Sequence, residues 1–534
     1  MINLSGFRLC GCLVLLIFVF YSLAATAQKI VSVKAMGAKG DGNFNNTAIF
    51  QKAIDECNAF GGGTVLVEHG AYVTSTLILK SNVTIQVEQG AAIKASTKVD
   101  DYTFSKGIYS TETDVPVLFY GEKLENITFC GRGLIDGQAE QTWEPLREID
   151  NFIALETELA KNAGVEMNRA YAKDPKVSLI YLTDCKNVTL RDLRLERSPN
   201  WTVHLANCEN VLALDLYIYS SLEKGVNADG LDIDGCKGVR IANCNIITGD
   251  DAICLKSTNK NGKYFPCKDV TVTNCTLIST STALKIGTES HGDFINIVFT
   301  NSTISNTNRG IGIFVRDGAT VDRVIFSNLT IECNRKHFNW WGDGDPIRFV
   351  LLKRKPDSRL GMIQNVQVSN VVAKGQGTSL IAGFYDKNIR NIQLINIDIT
   401  LEAESLPDKR STAVLKVENV DNLTLEQVQL RFSLTKQEPK WTSLLSLNNI
   451  KDFKVSNSIF EHRNNDVKQA FISARNVQNG IFTHNICRYG KTVSFVHLEG
   501  IKTSNITISG NFTEEGQRIY STSSEVKSSQ IKTT

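Results

Sequence analysis

One short phrase recurs along this chain: a polar residue, then Asn, Asp or Gly, then Val or Ile opening a run of alternating residues. Its copies are anchored on Val188, Val211, Val239, Val270, Ile297, Val324, Val366 and Ile392, with weaker ones at Leu423, Phe453 and Ile506. The first eight anchors lie 23 to 42 residues apart. A spacing of about 20–50 residues with period-two alternation marks a solenoid. Nothing between the copies has helical periodicity, so the repeating unit is all-β. Each unit has room for about three short strands, one coil of a parallel β-helix. A chain of 534 residues, 42% hydrophobic and 21% charged, is long for one compact globule and suits an elongated repeat.

Two columns follow from this register. Four residues after the anchors stand Asn243, Asn274, Asn301, Asn328, Asn370, Asn396 and Asn457. Coils stack about 4.8 Å apart, so these predict an internal amide ladder at a turn. Three residues before the anchors stand Cys185, Cys208, Cys236 and Cys267. They predict a buried column of free thiols acting as small hydrophobes. Disulfides would be the rival reading, but side chains stacked in parallel have the wrong torsion for them.

The flanks are different. Arg8, an apolar run from Leu13 to Leu23 and then Ala-Thr-Ala-Gln read as a secretory signal cleaved after Ala27. The run is shorter than the about 20 residues that span a bilayer. Residues 28–515 are expected to form a single β-helix domain that is exported to the periplasm or the extracellular space. Thr47–Phe60 has 3.6-residue spacing and predicts a helix capping the open end of the core. A charged stretch between Gln138 and Pro175 predicts a helical excursion. Residues 516–534, rich in Ser, Thr, Lys and Glu, predict a flexible tail. A net charge of +2 gives no footprint for nucleic acid.

Chemistry concentrates in N-A-D-G-L-D-I-D-G-C and, about twenty residues on, T-G-D-D-A-I-C-L-K-S. Four coils share one pattern: D-G-L-D-I, D-A-I-C-L, T-A-L-K-I and R-G-I-G-I. The register predicts one column of Asp229, Asp251, Thr282 and Arg309, and a second of Asp232, Cys254, Lys285 and Gly312. Asp250 sits beside Asp251. A single Asp-Gly is an ordinary turn. Three acids on adjacent coils repel one another, and such repulsion spreads pKa values, as acid–base chemistry requires. The acidic patch passes into a basic one along the groove, which suits a substrate carrying negative charge. The long interval after Val324 holds Trp340 and Trp341 beside Asp343, Asp345 and Arg348. It predicts a sugar-stacking wall.

The N-A-D-G and G-D-D segments resemble the first two motifs of the polygalacturonase family (glycoside hydrolase family 28). G-A-K-G-D-G, G-G-G-T-V, G-L-I-D-G-Q and S-P-N-W-T-V-H-L extend the likeness from Val31 to Ile331. The resemblance implies a right-handed, pectin-lyase-like parallel β-helix. It also implies inverting hydrolysis of a pectic, uronate-containing polysaccharide or oligosaccharide without metal or cofactor. Asp250 would be the general acid, and Asp229 and Asp251 would activate water. The family's third motif, G-H-G, falls on Ser281-Thr282-Ala283, so its histidine is missing. Its fourth, R-I-K, falls on Gly312-Ile313-Phe314, so both cations are missing. Lys256 matches a lysine that follows the family's paired acids. Lys285, Arg309 and Arg316 lie near the lost cations, and His291 lies on the turn after the third coil, so these are candidate substrate contacts. Two other functions fit a β-helix. A lyase would use an Arg or Lys base and often calcium on clustered acids. A binding solenoid would use the acids only as turn formers. No zinc-protease, paired C-x-x-C or phosphate-loop motif is present.

Overall fold

The computed structural model describes residues 29–102, 116–145, 151–164, 170–260, 262–336, 341–385, 387–433, 438–462, 469–489 and 494–533. The leader read at residues 1–27 and Trp340 lie outside them. Among the described residues 40 strands join in one sheet system, and their pairings are parallel throughout. The fold is a right-handed parallel β-helix. A typical coil has three strands, such as Leu231–Asp234, Lys237–Ala242 and Asn245–Thr248. Each pairs with its counterpart on the next coil: Ile253–Ser257, Cys267–Thr273 and Thr276–Ser279.

The anchor column is continuous. Val188, Val211, Val239, Val270, Ile297 and Val324 pair in succession, and Val366, Ile392, Leu423 and Phe453 carry the column on. Between Phe453 and Ile506 stands a rung with no apolar side chain, Gly480. A Cβ there would lie 2.0 Å from Cζ of Phe453, so the phenyl ring fills the missing side chain's place. The residues inside the coils form one continuous apolar core. Phe299, Phe326 and Phe349 stack along it with centroids 4.9 and 5.6 Å apart.

The asparagine ladder forms, but on the surface rather than inside. Asn328 donates to Asn301 at 3.0 Å, Asn370 to Asn328 at 3.1 Å and Asn396 to Asn370 at 2.9 Å, all exposed. Backbone geometry explains the choice of residue. Asp192, Asp215, Asn243, Asn274, Asn301, Asn328, Asn370 and Asn396 all have φ between +51° and +58° at the same corner. Asn and Asp enter that left-handed region more readily than other side chains. The thiol column is as expected: Cys185, Cys208, Cys236 and Cys267 are free and buried.

The helix Thr47–Ala59 buries Phe50, Ala53, Ile54 and Cys57 against the first coil and closes that end. The excursion is real as well. The helix Asn151–Asn162 and an antiparallel pair, Trp143–Pro145 with Ala170–Ala172, stand apart from the main sheet. The expected loose tail is not loose. Arg518–Thr522 pairs with Ser494–Glu499, and Ile531–Thr533 pairs with Ser504–Ser509. The last coil leaves an open edge of N–H and C=O groups, and a polar segment can satisfy them through its backbone alone. No helix among the described residues is long and apolar enough to cross a membrane.

His462 marks a pH-sensitive point of this core. It is fully buried between the rings of Phe432 and Phe471, and burial pushes its pKa down from 6.5 to about 4, against a backbone contact at Thr442. The unfolded chain takes up this proton and the folded chain does not. The stability is therefore full above about pH 6.5 and fades as pH falls toward 4. Between pH 7 and 5 the loss amounts to about 2 kcal/mol. His462→Leu is expected to lose correspondingly less stability over that interval, read as melting temperature against pH.

Candidate active site

The predicted columns are present. Thr282 pairs with Arg309, and the next rung adds Asp345. Asp232, Cys254, Lys285 and Gly312 pair in succession, and Arg348 follows. Tight backbone approach sets the acids in place. A Cβ on Gly230 would lie 2.5 Å from the carbonyl of Ala252, and one on Gly249 would lie 2.2 Å from that of Ser221. Only glycine lets the two acid-bearing turns come this close.

Asp229, Asp250 and Asp251 line one cavity of about 830 Å³. Each offers a carboxylate oxygen, and these lie within 4.8 Å of one another. All three side chains are buried. Asp250 accepts the N–H of Asp251 at 2.9 Å and that of Asn227 at 3.1 Å. Burial together with Asp229 and Asp251 pushes its pKa well above the usual carboxylate range, and the opposing pull of Lys285 and Lys256 does not offset this. Asp251 has the opposite balance. Burial works against its charge, but Lys285 and Lys256 outweigh it and hold the carboxyl below its ordinary value. The Ser281 hydroxyl donates to Asp251 Oδ1 at 2.8 Å, the Thr282 N–H donates to the same oxygen at 3.1 Å, and Lys285 Nζ sits on Oδ2.

Lys256 is the hub. Its Nζ lies 3.4 Å from Asp229, 3.3 Å from Asp232 and 3.4 Å from Glu289, and 4.0 Å from the centre of the Trp201 ring. Burial opposes its charge. The Cys254 sulfur, Asp232, Asp229 and Glu289 more than compensate, and its pKa rises. Asp232 is fully buried, and burial plus Asp229 raise its pKa, so it is a support for Lys256 rather than a cavity group.

Arg309, Arg348 and Trp341 also line the cavity. Arg309 donates through Nε to Asp345 at 2.9 Å, and Arg348 stands 3.6 Å from Asp343. Phe314, at the place of the lost motif lysine, packs under Arg309 at 4.9 Å and Lys285 at 5.8 Å. His291 is not brought in. It turns toward Asp317, 3.9 Å away, and packs near Tyr264. The cavity instead takes Glu289 from the same segment and Trp201, and Arg316 lines it where the register put it. The strand Thr282–Ser290 shifts register against Ile253–Ser257 between Ile286 and Ser290, so plain alternation does not place Glu289. The three clustered acids could offer oxygens to a hard cation. Asp229 and Asp251, however, each already hold an ammonium group.

The family model for glycosyl hydrolases family 28 matches residues 57–336. A probable polygalacturonase of Vitis vinifera is 26% identical over 72% of this chain and 77% of its own length. An exo-poly-alpha-D-galacturonosidase of Dickeya chrysanthemi is 28% identical over 42% of this chain and 41% of its own length. The crystal structure of a hyperthermoactive exopolygalacturonase from Thermotoga maritima superposes with a TM-score of 0.58 at 25% identity, covering 74% of this chain and 91% of that one. With the coil register, the paired acid motifs and the family model all in agreement, the chain belongs to glycosyl hydrolases family 28 and is a glycoside hydrolase.

Proposed function

We propose that the protein hydrolyses a glycosidic bond in a pectin-like, uronate-containing polysaccharide or oligosaccharide, with inversion at the anomeric carbon. Asp250 protonates the leaving oxygen, while Asp229 and Asp251 hold and activate water. The observation that carries this reading is the split between neighbouring carboxyls: burial, Asp229 and Asp251 push the pKa of Asp250 up, whereas Lys285 and Lys256 hold that of Asp251 down. Two acids with opposed environments are what acid–base cleavage of such a bond uses. The relatives' names, polygalacturonase and galacturonosidase, support a uronate substrate. The apolar run from Leu13 to Leu23 supports export.

One oxygen of each acid lies within 4.8 Å of the others, so retention, in which a carboxylate bonds to the anomeric carbon, has to be weighed as well. Retention needs a carboxylate free to bond carbon. Both oxygens of Asp251 are engaged by Ser281, Thr282 and Lys285, and Asp229 shares Lys256. Carboxylates held in this way are poor nucleophiles but keep the charge that polarises water. Elimination by a lyase with a lysine base is disfavoured on similar grounds. Lys256 and Lys285 both have raised pKa values, against burial, so neither is a ready base.

Arg316 is the best-placed partner for a substrate carboxylate. It lines the cavity, and its Nε makes no hydrogen bond among the described residues. Burial and the nearby Arg354 lower its pKa, a strain that an incoming anion would relieve. Arg316→Gln is expected to raise KM for an oligouronate by about tenfold or more, the weight of one charge-assisted hydrogen bond, with little change in kcat. The reaction itself is tested in ¹⁸O-water with oligogalacturonides. Hydrolysis places one ¹⁸O at each new reducing end, whereas an unsaturated product without the label would establish elimination.

A further inference from the structure

A second cavity, of about 540 Å³, lies beside the first. Asp234, in its lining, pairs across adjacent strands with Lys256 of the first cavity. Strands stand about 4.8 Å apart. Trp201 lines the first cavity, and its ring meets His204 of the second edge-on at 5.0 Å. One layer of side chains therefore separates the two spaces.

The chemistry of the second cavity is aromatic and cationic. Tyr181 stacks on Tyr120 with centroids 5.9 Å apart and packs 4.8 Å from His204. Phe265, also in the lining, is 42% exposed. The lining acids are committed within the protein. Asp234 binds His204 at 3.0 Å and accepts the Thr258 N–H at 2.7 Å, and Asp184 accepts the Asn207 amide at 2.5 Å. Lys260 and Lys263 also line the cavity, and neither forms an ion pair among the described residues. Their backbones brace each other: the Lys260 N–H donates to Lys263 O at 2.7 Å and the Lys263 N–H to Lys260 O at 3.0 Å. The Ser257 hydroxyl ties down the Phe265 carbonyl at 2.7 Å. Two ammonium groups sharing a cavity with the exposed Phe265 ring match a sugar ring bearing a carboxylate.

We propose that this cavity is a second saccharide site. It takes an anionic sugar residue of the bound chain beyond the pair joined by the scissile bond, held by Lys260 and Lys263 against Phe265, with the buried Tyr181 as the floor. The assignment rests on the uronate-containing substrate proposed above. It makes affinity depend on chain length and on charge far from the bond that breaks.

The test uses full-length Asp250→Asn protein, with and without Lys260→Ala and Lys263→Ala, titrated calorimetrically with di- and hexagalacturonate. The double lysine replacement is expected to weaken hexamer binding about tenfold and leave dimer binding unchanged. A fully methyl-esterified hexamer, which lacks the charge, is expected to bind both proteins alike. Equal hexagalacturonate affinities in the two proteins would overturn the second site. Wild-type cleavage of the same oligomers is followed in parallel. Cleavage with equal affinities removes the second site alone, whereas failure to bind or cleave any oligouronate removes the substrate class and the second site together.

Discussion

Asp250→Asn is expected to lower kcat on oligogalacturonides by about a thousandfold, within the range of general acid catalysis, while the protein keeps its fold. The amide has nearly the shape of the protonated acid but no proton to give. A raised pKa means that the folded protein holds this proton longer than the unfolded chain does. The stability that Asp250 contributes is thus present at low pH and is lost as pH rises through its folded value. The variant should therefore melt at a higher temperature relative to wild type as pH increases. Asp250 losing its proton sets the alkaline limb of the activity profile. Protonation of Asp251, below the ordinary carboxylate value, sets the acid limb. A variant that kept a tenth of wild-type kcat would remove Asp250 from the mechanism.

Lys256→Met should have the largest effect on stability. The ammonium is buried among Asp229, Asp232 and Glu289. Methionine fills a similar volume but leaves two buried acids and the part-buried Glu289 without their shared cation. Breaking a buried pair from one side costs about 3–5 kcal/mol. The repelling acids then hold protons more tightly when folded than when unfolded, so the deficit shrinks as pH falls. Chemical denaturation at pH 8 and pH 5 is the measurement. The variant's deficit relative to wild type should be smaller at pH 5. An equal deficit at both values would mean that Lys256 acts through packing on Trp201 rather than through charge.

The coil register was legible because a parallel β-helix repeats one set of inward positions, and Val188 through Ile392 keep that set without gaps. Gly480 hid its rung because a neighbour's ring supplies the bulk. The asparagine column was visible, but its place was not. Its cause is a left-handed corner, and the same residues would serve inside or outside. Asp229, Asp250 and Asp251 could be read because their local motifs survive. Arg316 was marked by its register near the lost cations, whereas Glu289 could not be read, since the strand that carries it shifts register before it reaches the cavity. His291 was misplaced because a turn residue can point to either side, and Asp317 draws it away from the cavity. The final strands escaped notice because an open sheet edge recruits backbone, to which composition is blind.

The anomeric configuration of the first product, followed by proton NMR from the moment of mixing with an α-linked oligogalacturonide, tests the central claim most directly. Water activated between Asp229 and Asp251 while Asp250 protonates the leaving oxygen predicts that the β anomer appears first and then mutarotates. Initial release of the α anomer would mean that one of these carboxylates had bonded to carbon, and would contradict the account.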